Sequence, residues 1–160
     1  MLLHKKEGRT SGWIGYTLSW TQLQFDEINF GKKYWARYDR RHDIGIVVIH
    51  ELNKRITLSG SWVYGTGNAV TLPLGSYYSQ SHDPFESMRD SPFYHYYSWS
   101  EIYDYGEINS FRMKPYHRLD IAVQFHKKMK KHERIWELGL YNAYNRLNPF
   151  FYFISREYDW

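Results

Sequence analysis

Ile56-Thr57-Leu58-Ser59-Gly60-Ser61-Trp62-Val63-Tyr64 is the stretch whose reading decides the fold. Its bulky apolar residues Ile56, Leu58, Trp62 and Tyr64 share one parity, while Thr57, Ser59, Ser61 and Val63 share the other. A repeat of two belongs to an extended strand, whose successive side chains point to opposite faces. Towards the N-terminus the pattern recurs, with Ile14, Tyr16, Leu18 and Trp20 against Gly15, Thr17, Ser19 and Thr21. Towards the C-terminus, Leu119, Ile121, Val123 and Phe125 alternate with Arg118, Asp120, Ala122 and Gln124. Ile44 to Leu52 and Ile135 to Asn145 are less regular strands, and Leu2 to Lys6 is a fragment of another. The expected fold class is all-β, an antiparallel up-and-down meander.

The connections alternate between short and long. Glu7-Gly8-Arg9, Asn53-Lys54-Arg55 and the segment around His126 to Glu133 are short and charged. Phe25 to Tyr38 and above all Thr66 to Met113 are long and rich in Gly, Pro, Ser, Tyr and His. A structureless loop of that length counts against a compact soluble domain. Transmembrane barrels, by contrast, join strands by short turns on one side and long loops on the other.

Composition agrees. Phe, Trp and Tyr make up 20% of the 160 residues, with 16 Tyr and 7 Trp, at a mean hydropathy of -0.69. Soluble cores rely on aliphatic side chains, whereas amphipathic rings suit a boundary between apolar and polar surroundings. The absence of cysteine excludes disulfides, thiolate metal sites and Cys nucleophiles. The net charge of +4 does not require nucleic acid as a partner, because the basic residues concentrate at Lys5-Lys6 and at Lys127-Lys128-Met129-Lys130-Lys131, where charged turns explain them. The uncharged stretch from Ile56 to Gln80 carries Gly, Ser, Thr and Pro73, so a membrane would be crossed by strands and not by a helix. Met1 to Glu7 is too short in apolar residues for a signal peptide. Strands in lipid must close into a ring to pair every backbone group, and about five strands plus a fragment fall short of the ~8 that such rings need. The chain is therefore expected to be a segment of something larger, interrupted at Met1 and at Trp160.

Five stretches carry a family resemblance. Gly12-Trp13-Ile14-Gly15-Tyr16-Thr17-Leu18-Ser19 resembles a G-W-x-x-Y-T-L-S strand, and Arg37-Tyr38-Asp39-Arg40-Arg41-His42-Asp43 resembles R-Y-D-R-x-H-D. Trp62-Val63-Tyr64-Gly65-Thr66-Gly67-Asn68-Ala69-Val70-Thr71 is similar to W-x-Y-x-T-G-N-x-x-T. Arg112-Met113-Lys114-Pro115-Tyr116-His117-Arg118-Leu119-Asp120 is similar to R-M-x-x-Y-H-R-L-D. Tyr141-Asn142-Ala143-Tyr144-Asn145-Arg146-Leu147-Asn148-Pro149-Phe150 is similar to Y-N-x-Y-N-R-x-N-P-F. In this order the five stretches resemble the strands of TonB-dependent outer-membrane receptors of the Bacteroidetes type. The resemblance implies that residues 1–160 are a partial C-terminal segment of a 22-stranded transmembrane β-barrel, without the plug domain and the closing strand. It further implies a location in the cell outer membrane and TonB-energised uptake of a nutrient such as a siderophore or a glycan. The implied partners are the rest of the barrel and plug, the TonB complex and outer-membrane lipid, with no cofactor and no catalytic residue.

Three groups of residues are candidate sites. Tyr94, Tyr96, Tyr97 and Trp99 lie in the long loop, where rings stack on a sugar or an aromatic ligand or pack the loop on itself. Asp39, Arg40, Asp43, Arg118 and Asp120 fall on the polar side of strands, as a charge network lining a lumen or as ligand contacts. Trp13, Trp20, Trp62 and Trp136 sit near strand ends, as a membrane-interface girdle would. His82, Asp83, His95 and Glu101 share one loop but lack metal-ligand spacing, and a loop histidine is more often solvated than ligated. No nucleophile elbow, phosphate loop or spaced acid pair points to an enzyme. The competing reading is a soluble carbohydrate-binding β-sandwich, which requires the face of Leu58 and Trp62 to be buried under a second sheet.

Overall fold

In the computed structural model, which describes residues 1–81 and 98–153, the alternating segments are strands. In chain order they are β1 (Leu2–Lys5), β2 (Thr10–Leu18), β3 (Gln22–Leu23), β4 (Tyr34–Trp35), β5 (His42–Asn53) and β6 (Ile56–Gly65). There follow β7 (Ala69–Val70), β8 (Pro73–Ser81), β9 (Ser98–Tyr105), β10 (Phe111–Arg112), β11 (Tyr116–Lys128) and β12 (Glu133–Leu140). Six of them form one antiparallel sheet in the order β1-β2-β5-β6-β11-β12, so the strands of this sheet are neighbours in the order in which the chain reaches them. The sheet is open. Its edge strands β1 and β12 each have one neighbour among the described residues, and no ring of 22 strands is closed by these six.

The register separates the residues into two faces. Ile14, Ile46, Trp62 and Leu119 lie opposite one another across four strands, and the next row up the same face holds Val48, Gly60, Ile121 and Leu140. Gly15, Gly45, Val63 and Arg118 form a row on the other face, flanked by the row of Trp13, Val47, Ser61 and Asp120. One face is therefore continuous apolar surface and the other is mostly small and polar.

All three short turns lie at one end. In the β5–β6 turn the Asn53 side chain accepts hydrogen bonds from the backbone N–H of Arg55 and Ile56, at 2.8 and 3.0 Å. This local bond closes a hairpin without spare residues. The long connections emerge at the opposite end, and there the buried residues collect: Tyr34, Asp39, Gly65, Gly67, Ala69 and Met113.

The structure departs from the sequence pattern in three places. The segment from Thr66 to Met113 is not structureless, since β8 and β9 pair from Pro73↔Tyr105 to Ser81↔Ser98, and β7 pairs with β10. Tyr77, Tyr78, Trp99, Ile102, Tyr103 and Tyr105 supply the β propensity that Gly and Pro obscure. The last strand ends at Leu140 and not at Asn145, because Asn142 and Asn145 adopt left-handed backbone with φ of 53° and 51°. Finally, β11 continues to Lys128, which confines its turn to residues 129–132.

Candidate functional site

The base of the long loops is built around Asp39, whose side chain is wholly buried. Its carboxylate accepts a hydrogen bond from the Thr21 backbone N–H at 2.7 Å and pairs with Arg112 Nη2 at 2.6 Å. Arg112 Nη1 donates to the carbonyls of Asp39 and Gly67, at 2.7 and 3.0 Å. One guanidinium thus ties the connection before β5 to both ends of the connection between β6 and β11. The guanidiniums of Arg41 and Arg112 also lie against the Trp35 ring, 5.0 and 5.8 Å from its centroid. Asn109 donates its side-chain amide to the Trp35 carbonyl at 2.8 Å and its backbone N–H to the Thr71 hydroxyl at 3.0 Å. The sequence pattern put Asp39 and Arg40 on the polar side of a strand, whereas both lie in the connection between β4 and β5; it missed Arg112, Trp35 and Asn109, for which Arg112 as the lone charge from Ile108 to Met113 was the available signal.

Gly67 lets these segments meet. It is buried, and a Cβ there would overlap the Met113 carbonyl. Gly67→Ala is expected to force the two chains apart and to cost about 1–3 kcal/mol, read as a lower urea midpoint of the refolded protein.

A second cluster lies on the small and polar face. Arg118 bonds Asp120 at 2.9 Å and donates to the hydroxyls of Tyr116 and Tyr141, at 3.1 and 2.6 Å. Its guanidinium stands 4.2 Å from the centroid of the Tyr141 ring. Asp120 accepts in turn from the Asn142 backbone N–H at 2.9 Å. The Asn148 side chain bonds both the N–H and the carbonyl of His117, as a neighbouring strand would. Asn142 clips Arg146 by two similar bonds. These contacts give the asparagines of the last motif a physical role: they dock residues 141–148 on β11.

The five predicted charges therefore form three separate pairs and no single network. Asp39 pairs with Arg112, Arg40 with Asp43 at 3.5 Å, and Arg118 with Asp120. The donors of Arg118 are committed to partners within the chain, so the cluster holds strands and turns in place. Among the described residues no three His, Asp or Glu converge on a point.

The four tryptophans lie in different surroundings. Trp62 is on the apolar face, stacked with Tyr64 at 6.0 Å and donating to the Tyr144 hydroxyl at 3.2 Å. Tyr64, His117 and Tyr144 extend this aromatic group, and Tyr16 with His42 continues it on β2 and β5. Trp136 is on the same face at the short-turn end, opposite Phe125. Trp20 is exposed just beyond β2. Trp13 is not on the face of Trp62 and Trp136: its parity puts it on the small and polar face, where its ring lies over Gly15 and Gly45. Both glycines leave room for the indole, with any Cβ at Gly45 only 3.0 Å from the ring.

Tyr94, Tyr96 and Tyr97 lie outside the described residues, and of Trp99 the backbone alone is described, opposite Gln80. Near the loop bases a cleft of about 310 Å³ is lined by Arg37, Asn68, Thr71, Asn109, Met113 and Phe150, among others. Comparison with protein-family models, curated proteins and solved structures returned no match.

Proposed function

We propose that this chain forms part of the wall of an outer-membrane β-barrel receptor, which takes up a nutrient with energy supplied through the TonB complex. The observation that carries the reading is the exposed apolar face. Ile14, Val48, Leu58 and Ile121 are each between 42% and 45% exposed, although their strands are paired on both sides, and Leu138 and Leu140 on the edge strand β12 are 65% and 62% exposed. A contiguous apolar surface of this size is stable only against lipid or a partner. It has the proportions of a lipid band: the eight steps from His117 to Phe125 span about 27 Å along the strand, or about 20 Å across a bilayer at a tilt near 40°. Aromatic rows at both ends, Tyr16, Trp62 and Tyr64 at one and Phe125 and Trp136 at the other, sit where rings favour the headgroup level.

The small and polar face then lines the lumen. The open edges of β1 and β12 call for further strands of the same barrel, since unpaired backbone is untenable in hydrocarbon. The narrower step, from barrel to TonB-dependent receptor with a plug, rests on the five sequence motifs. On this reading the chain supplies wall and external loops and performs no catalytic step. Against the competing β-sandwich stands the 42% exposure of Leu58, with no second sheet over it among the described residues.

Cell fractionation with an epitope inserted after Ser81 tests the proposal. The expected product is surface-exposed, heat-modifiable and much larger than 19.5 kDa. A soluble product of 19.5 kDa would overturn it in favour of the sandwich.

A further inference from the structure

The three short turns at one end of the sheet, together with the strand ends that flank them, hold ten of the 21 lysines and arginines of the chain. Lys5, Lys6 and Arg9 belong to the first turn, and Lys54 and Arg55 to the second. The third contributes Lys127, Lys128, Lys130, Lys131 and Arg134. Only Glu7, Glu51 and Glu133 oppose them. All ten are exposed, and among the described residues none takes part in an ion pair.

Their position relative to the apolar band matters as much as their number. Lys127 and Arg134 face each other in the register and share the parity of Phe125 and Trp136. They therefore stand directly beyond the aromatic row, on the apolar face. Lys5 continues the face of Leu3 on β1 in the same way. Long cationic side chains so placed lay their methylenes on apolar surface and carry the charge to the headgroup level.

We propose that this end of the sheet is a cationic belt that binds the headgroups of anionic phospholipids in the leaflet next to the short turns. The inference rests on the barrel reading above and adds a lipid partner and a leaflet to it. Each Lys or Arg near an anionic surface favours binding about fivefold, and added salt screens the effect because the Debye length falls to about 3 Å at 1 M.

The natural polypeptide in full, refolded into phosphatidylcholine bilayers, is probed by electron spin resonance with spin-labelled phosphatidylglycerol or phosphatidylcholine. The motionally restricted fraction gives the preference of one lipid over the other. A preference of about fivefold or more for phosphatidylglycerol, falling towards one in 1 M salt and in the variant Lys127→Gln/Lys128→Gln/Lys130→Gln/Lys131→Gln, supports the proposal. The salt arm uses the natural sequence, so a variant that fails to fold does not remove the test. Equal restriction of both lipids by a heat-modifiable, inserted protein overturns the belt and leaves the barrel standing. Absence of any restricted lipid and of heat-modifiability overturns both.

Discussion

Ile121→Arg is expected to lower the stability of the protein in a bilayer by about 2–4 kcal/mol, the cost of a cation at the midplane of the lipid face of a barrel. Ile121 sits midway along β11, opposite Gly60 and Leu140, and is 42% exposed on the apolar face. Gln124→Arg, three residues further on and on the other face, is expected to change stability by less than about 1 kcal/mol. There the existing side chain already donates to Glu137 at 2.6 Å, and an arginine finds the same carboxylate. The contrast is read from urea unfolding in lipid vesicles, with the slow-migrating heat-modifiable band as the folded signal. Equal and small effects at both positions would mean that the apolar face does not meet hydrocarbon, and the barrel reading would fall.

Arg112→Met carries the other large expected effect, a loss of about 3–5 kcal/mol, because it strands the wholly buried Asp39 carboxylate without its cation. Two carbonyls, of Asp39 and Gly67, lose their donor at the same time. Asp39→Asn combined with Arg112→Met is expected to recover part of the loss, since neither side then leaves a buried charge unpaired. Limited proteolysis gives a second readout. The single variant is expected to be cut faster in the connections 19–41 and 66–115, which the pair joins, while the six-stranded sheet stays resistant. Unchanged cleavage and an unchanged unfolding midpoint would show that Asp39 finds another partner and that the pair does not hold the loop bases.

Much of the sheet was legible in the sequence because the signal is local. Alternation in Ile56 to Tyr64 or Leu119 to Phe125 has a period of two whatever lies beside it, so strand, face and approximate ends follow from the chain alone. Short and long connections were legible for the same reason, as were the separation of apolar from small and polar faces and the basic character of the short turns. The hairpin β8–β9 was not, because Gly75, Pro73 and adjacent tyrosines blur the repeat, and its pairing depends on residues about two dozen positions apart.

What the sequence determined by itself is a set of strands, each with one apolar face and one small or polar face, since this follows from spacing along a single strand. Only the tertiary structure decided which residues meet across strands and loops. Asp39 found Arg112 rather than Arg40, Asp43 went to Arg40, and Trp13 settled over Gly15 and Gly45 away from the other tryptophans. The physical reason is that a buried carboxylate is satisfied by whichever donor the register and loop path bring within reach. That choice is set by distance in space, to which residues 73 positions apart in the chain give no local clue.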